Sequence, residues 1–312
     1  MATMKAVSIH EYGGPEVLRF EDAPRPEPGP GQVLVRISAS GVNPVDWKVR
    51  TGELKHFLQY KMPMIPGWDF SGVVEALGPG SARFKVGDQV YGHPAIPRNG
   101  TYAQYIAVPE SEAAFKPTSI DHVHAAAIPL AALTVWQALF DTAKLEAGQT
   151  VLIHGAAGGV GTFAVQLAKM TGARVIGTAS TRNHEFLREL GADETIDYNT
   201  TRFETVVRDA DVVLDTITGE TMDRSWQVLK KGGILISILQ PPSEQDAAAW
   251  GVRGAHVFVQ PNADQLKQLA GLIDSGKLKA VVERVLPLAE ARHAQELSET
   301  GHARGKIVLT VD

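Results

Sequence analysis

Residues 151–161, Val-Leu-Ile-His-Gly-Ala-Ala-Gly-Gly-Val-Gly, pass from an apolar strand through a glycine-rich turn into an amphipathic helix. The chemistry such a pattern offers is anion binding by main chain. Ala156 sits where a tight turn is needed, Gly158 lets backbone approach a pyrophosphate, and Gly161 lets helix and strand pack closely. The amides of Gly159, Val160 and Gly161 open the helix and face the anion. Val160, Phe163, Ala164, Leu167 and Ala168 recur at helical spacing, which predicts one apolar face, and Gly172 stands where a C-terminal cap belongs. Residues 174–179 follow as a second strand, completing a strand-helix-strand unit of about 30 residues, the length of a parallel crossover.

The end of that second strand chooses between dinucleotides. A carboxylate there would bind the ribose hydroxyls of NAD, whereas NADP needs room and positive charge for its 2′-phosphate. Thr178-Ala-Ser-Thr-Arg-Asn183 carries no carboxylate. Ser180 can donate a hydrogen bond and Arg182 offers the planar fork that suits a phosphate, so NADPH is the expected cofactor. The alternative is that Ser180 and Thr181 cap the helix that follows and Arg182 is a solvated first-turn residue.

The elements around these residues fall into two groups. Residues 5–9, 32–37, 72–77, 88–91 and 103–108 read as short strands cut by Pro and Gly, an all-β, barrel-like domain. Past residue 121 a helical run leads into the glycine turn, and strands then alternate with helices: helix 182–190, strand 211–215, helix 221–230, strand 233–239. That alternation predicts a doubly wound parallel sheet. A tail with a helix at 264–275, a strand at 281–285, a helix at 290–299 and a strand at 306–311 is expected to return to the first domain. The fold class is α/β, with domains at residues 1–122 plus 263–312 and at residues 123–262.

Composition narrows the function. The chain has 312 residues, 44% hydrophobic and 21% charged, ordinary for a globular protein. A net charge of −5 without any Lys/Arg run argues against a nucleic-acid partner. With no cysteine there is no disulfide, no thiolate nucleophile and no Cys-based zinc site. No run approaches the ~18 apolar residues of a membrane span, and residues 1–8 lack a signal-peptide core, so a cytoplasmic location is expected.

A β-rich domain followed by Gly-Ala-Ala-Gly-Gly-Val-Gly resembles the medium-chain dehydrogenase/reductase superfamily, and within it the zinc-free quinone oxidoreductase branch. The motifs that carry this are Gly41-Val-Asn-Pro-Val-Asp-Trp-Lys48, Pro66-Gly-Trp-Asp-Phe-Ser-Gly72, Val86-Gly-Asp-Gln-Val-Tyr91, Leu133-Thr-Val-Trp-Gln-Ala-Leu139 and Gly305-Lys-Ile-Val-Leu309. The resemblance implies a GroES-like β-barrel domain beside a Rossmann domain, a site in the cleft between them, and a homodimer joined at a sheet edge, for which residues 233–239 are apolar enough. Zinc-dependent relatives place a Cys at the position of Asn43 and a Gly-His-Glu motif at Gly67-Trp68-Asp69, so no metal site is expected.

By the same resemblance, Asn43 lies near the nicotinamide and its amide could donate to the substrate oxygen. Lys48 stands where alkenal and enone reductases have Lys and many bacterial quinone reductases have Tyr. Thr134 would line the cofactor cleft, and the main chain of Phe258 and Val259 would hold the carboxamide. Asp46 and Asp69 are expected to fix loops through backbone hydrogen bonds, and Trp47, Trp68, Phe57 and Tyr60 to wall an apolar pocket or fill the core. The expected activity is hydride transfer from NADPH to a quinone or an α,β-unsaturated carbonyl. An NADPH-binding protein with a structural or signalling role is the alternative, and turnover separates the two.

Overall fold

In the computed structural model, which describes residues 2–312, nine strands belong to one compact unit and six to another. The first unit comprises residues 1–133 and 260–312, the second residues 134–259. Seven strands of the first unit come before residue 134: β1 (Thr3–Ser8), β2 (Arg19–Pro24), β3 (Gln32–Val42), β4 (Phe70–Leu77), β5 (Gln89–Gly92), β6 (Tyr105–Pro109) and β7 (Ala113–Phe115). The second unit contributes β8 (Thr150–Ile153), β9 (Arg174–Ala179), β10 (Glu194–Asp197), β11 (Ala210–Asp215), β12 (Leu229–Ser237) and β13 (Arg253–His256). The tail adds β14 (Val282–Pro287) and β15 (Lys306–Thr310).

The first unit is built on a seven-stranded sheet in the order β14-β15-β3-β4-β5-β7, with β6 also paired to β3, and on the separate antiparallel pair β1-β2. Alternation explains it: Val33, Val35 and Ile37 of β3 meet Val74, Val90, Ile106 and Val108 in one apolar core. The tail returns to this sheet as expected, β15 pairing antiparallel with β3 so that Ile307 stands opposite Val42. That pairing brings the start of β15 beside the end of β3, where Asn43 begins the helix Pro44–Thr51.

The second unit is a parallel sheet in the order β10-β9-β8-β11-β12-β13. Its first strand stands in the middle and the order reverses there, the arrangement in which ligands bind beyond the carboxyl ends of the strands. Val151, Leu152 and Ile153 are buried because helices cover both faces of such a sheet. The helix Gly161–Met170 is buried from Gly161 to Ala168 on all its sides, more than the single apolar face its periodicity predicts.

Two expectations are corrected. Residues 229 and 230 are strand, not helix: the helix ends at Ser225, a short 3₁₀ turn spans Trp226–Val228, and β12 begins at Leu229. Nor do residues 233–237 form a sheet edge, because they belong to β12, which lies between β11 and β13; the edge strands are β10 and β13. Among the described residues no helix is long and apolar enough to cross a membrane.

Candidate functional site

The glycine turn follows β8 directly. Gly155 adopts a left-handed φ of +64°, and the amide of Ala156 donates to the carbonyl of Thr178 at 3.0 Å, tying the turn to β9. A Cβ on Gly161 would lie 2.3 Å from the Gly155 oxygen and 2.6 Å from Ala156 Cα, so the protein's own packing requires glycine there. Gly158 differs: a Cβ there would meet only the Gly155 oxygen, at 3.3 Å. The Gly155 oxygen would have to give by only a few tenths of an ångström, far less than at Gly161, so the bare backbone at Gly158 fits the approach of an outside group such as a pyrophosphate. Gly159 and Val160 are half-buried, and Val160 caps the helix in helical conformation.

His154, to which sequence reasoning gave no role, holds this turn from beneath. Ser225 Oγ donates to the Thr221 carbonyl at 2.6 Å, so it accepts from His154 Nε2 at 2.9 Å. His154 Nδ1 then accepts from Thr178 Oγ1 at 3.1 Å, and that hydroxyl accepts from the Gly155 amide at 3.4 Å. The chain has one direction, which assigns the neutral Nε2–H tautomer. Burial, reinforced by Arg224 and opposed by Glu204, holds the imidazole down to about 3, so it stays uncharged.

The far end of β9 carries Ser180 and Arg182, the residues expected to select the dinucleotide. Ser180 is half-buried and accepts from Asn183 Nδ2 at 3.3 Å, and Arg182 is exposed on the following 3₁₀ turn. A carboxylate is nevertheless present. Asp197 ends β10, in register with Ala179, and takes hydrogen bonds from the Thr181 hydroxyl and amide and from Asn199. Those donors pull it down to about 2. It was missed because β10 was not read as a strand. Thr134 and Val259 are buried and Phe258 is 43% exposed, the last two lying past the end of β13 at His256.

In the first unit the sequence-predicted Asn43 is the centre of a buried polar cluster. Its backbone amide donates to Asp46 Oδ2 at 2.8 Å, and the Asp46 amide donates back to the Asn43 carbonyl at 2.9 Å. Its side-chain Nδ2 donates to Asp69 Oδ2 at 2.8 Å, and its Oδ1 accepts from the Lys306 ammonium. Lys306 lies 3.4 Å from Asp69 Oδ2, and Asp69 Oδ1 accepts from the Leu130 amide at 2.6 Å. Asn43, Asp69 and Lys306 are 2%, 0% and 3% exposed. Asp46 and Asp69 do fix loops through backbone amides, as expected, and Asp69 in addition grips two side chains.

Lys306 lies within Gly305-Lys-Ile-Val-Leu309, and a lysine heading a buried apolar strand is the sequence signal for it. Tyr102 closes the cluster, donating to Asp46 Oδ2 at 2.7 Å. Asp46 Oδ1 has no partner, and burial pushes this carboxyl up to about 7 against the pull of its hydrogen bonds and Lys306.

Lys48 lies on the Asn43-capped helix, half-buried, its Nζ 5.6 Å from the Trp47 ring centroid. No hydrogen bond or ion pair to the described residues holds its ammonium, and burial, opposed by Glu53, lowers its pKa. The structure does not hydrogen-bond Lys48 to Asn43. Of the aromatic residues, Trp68 is fully buried with Tyr60 6.2 Å away, whereas Phe57 is 85% exposed and belongs to no core.

No three His, Cys, Asp or Glu side chains among the described residues are grouped to hold a metal. Asp69, the one carboxylate at the expected position, already faces the Lys306 ammonium, which would repel an added cation.

Comparison with known proteins gives matching signals. Residues 29–118 match the alcohol dehydrogenase GroES-like domain family and residues 190–309 the zinc-binding dehydrogenase family. The chain is 38% identical to the chloroplastic NADPH-dependent alkenal/one oxidoreductase of Arabidopsis thaliana, over 98% of this chain and 79% of that protein. The quinone oxidoreductase from Coxiella burnetii superimposes with a TM-score of 0.92 at 36% identity, covering 100% of both chains. Mycobacterial Rv1454c, solved in complex with NADPH, does so with a TM-score of 0.88 at 30% identity, over 98% of this chain and 99% of that one.

Proposed function

Because the chain belongs to the zinc-free quinone and enone reductase branch of the medium-chain dehydrogenase/reductase superfamily, we propose that it reduces quinones or α,β-unsaturated carbonyls with NADPH and without a metal. The observation that carries this reading is the held Asn43 amide: a neutral donor, fixed on both sides by charged groups, with one Nδ2 hydrogen still to give.

When bound, NADPH supplies a hydride to the acceptor carbon. In a conjugated acceptor the displaced electron pair moves to oxygen, and a proton from solvent completes the saturated ketone or hydroquinone. Asn43 donates to that oxygen and Lys48 adds positive charge beside it. Donors already aimed where charge develops need no reorganisation during the reaction. A simple ketone leaves its whole charge on one alkoxide oxygen, for which a Lewis acid is the better partner, so these residues favour conjugated acceptors.

On the cofactor side, Ala156, Gly158, Gly159, Val160 and Gly161 would hold the pyrophosphate, and Thr134, Phe258 and Val259 the nicotinamide end. Ser180 and Arg182 would receive the 2′-phosphate, while Asp197 pulls in the opposite direction. The reading includes a homodimer, for which β10 and β13 are the two edge strands of the sheet.

Stopped-flow measurement of NADPH absorbance tests it. Oxidation with a small enone and a quinone, unchanged by a chelator, is the expected result, with no reaction of simple alcohols and NADP. Replacing Lys48 by Met lowers kcat for the enone about tenfold, with KM little changed. Alcohol oxidation that a chelator abolishes would overturn the proposal.

A further inference from the structure

We infer that Lys306 is a positioning residue for the reaction: with Asp69 it locks the Asn43 amide in one orientation, so that the amide presents an N–H to the reacting oxygen. The inference rests on the reading of Asn43 as the donor to that oxygen.

An asparagine amide can sit in two flips that exchange its oxygen and nitrogen at almost no steric cost, and only its partners decide between them. Here the partners leave no choice. Lys306 has only hydrogens to give, so it can face only Oδ1. Ionised Asp69 can only accept, so it can face only Nδ2, at 2.8 Å. The two charges lie 3.4 Å apart and fix each other, and the Leu130 amide holds the second Asp69 oxygen at 2.6 Å. A flipped amide would set oxygen against carboxylate and NH₂ against ammonium, losing two charge-assisted hydrogen bonds together in a buried site.

What remains is the second Nδ2 hydrogen, which has no partner among the described residues. In this orientation the unspent hydrogen on Nδ2 is what the amide offers as a donor, and the flipped amide would place its oxygen there instead. An acceptor turned toward an oxygen that is gaining negative charge would oppose the reaction. The lysine that prevents this lies 263 residues along the chain from Asn43.

A double-mutant cycle decides it. Asn43→Ala, Lys306→Met and the double variant are assayed for kcat, KM and NADPH affinity on an enone. Removing one such donor costs on the order of a hundredfold in kcat. Asn43→Ala is expected to show a loss of that kind with KM and NADPH affinity nearly unchanged, Lys306→Met a loss approaching it, and the double variant no further loss. If Asn43→Ala loses kcat but Lys306→Met does not, or if the two losses multiply, Lys306 does not act through Asn43 and the inference falls while the donor role stands. If Asn43→Ala leaves kcat intact, the donor role itself falls and takes the inference with it. Lys306→Met leaves Asp69 buried and unpaired, so unfolding of each variant is followed alongside and the kinetics are read under conditions where it stays folded.

Discussion

Replacing Asp46 by Asn should stabilise the protein at alkaline pH and leave it unchanged in acid. Asp46 is fully buried; its Oδ2 accepts from the Asn43 amide at 2.8 Å and the Tyr102 hydroxyl at 2.7 Å, and its Oδ1 has no partner. Burial outweighs those hydrogen bonds and Lys306 and raises the carboxyl to about 7, with Asp69 adding to the rise. In the unfolded chain the same group titrates near about 3.9. The folded state therefore holds the proton more tightly. Between about pH 4 and 7 it binds more protons than the unfolded state, and stability falls as pH rises. The contribution is complete below the unfolded value and gone once pH passes the folded one. At about 1.4 kcal/mol per unit, a shift of about three units amounts to roughly 4 kcal/mol. Asparagine keeps one oxygen to accept both hydrogen bonds and carries no charge at any pH. Denaturant unfolding of both proteins at pH 4, 6 and 8 isolates the effect, because every other group titrates in both. The Asp46→Asn variant should match the wild type at pH 4 and exceed it at pH 8 by up to that amount. A difference that is constant with pH, or a variant less stable at pH 8, would refute the assignment of a buried, proton-retaining carboxyl.

The two cradle glycines should separate stability from binding. Gly161→Ala forces a Cβ to 2.3 Å from the Gly155 oxygen and should lower the melting temperature and NADPH affinity together, whereas Gly158→Ala, with its nearest contact at 3.3 Å, should fold normally yet bind NADPH at least about tenfold more weakly; equal melting losses in both would contradict the distinction. Arg182→Ala should reduce the preference for NADPH over NADH by at least about tenfold, and Asp197→Asn should raise it; fluorescence titration with the two cofactors reads both, and an unchanged ratio in the arginine variant would remove Arg182 from the 2′-phosphate site.

How much of this was legible depended on how far each signal reached along the chain. The strand at Arg174–Ala179 and the cradle from Ala156 to Gly161 were readable because the turn, the helix and the strand they join lie within one crossover. β10 and β2 were not. Glu194-Thr-Ile-Asp197 and Arg19-Phe-Glu-Asp-Ala-Pro24 carry too few apolar residues to announce a strand, and they are held by the ladders of β9 and β1 rather than by their own burial. Missing β10 had a chemical consequence, because the absence of a carboxylate at the end of β9 was read along one strand, while Asp197 reaches that end from the neighbouring one. Lys230-Lys-Gly-Gly233 hid the start of β12 in the same way, since two charged residues and two glycines gave no hint that pairing with β11 begins at Leu229. Asn43 shows the limit most clearly. Residue type and position made its amide a candidate donor, but which way an amide points is set by its partners, and these come from Asp69 and Lys306, 26 and 263 residues away. The antiparallel pairing of β15 with β3 is what carries Lys306 to that place. The direction of the Asn43 donor is thus a product of sheet topology, and a local motif can name the residue without fixing what it presents.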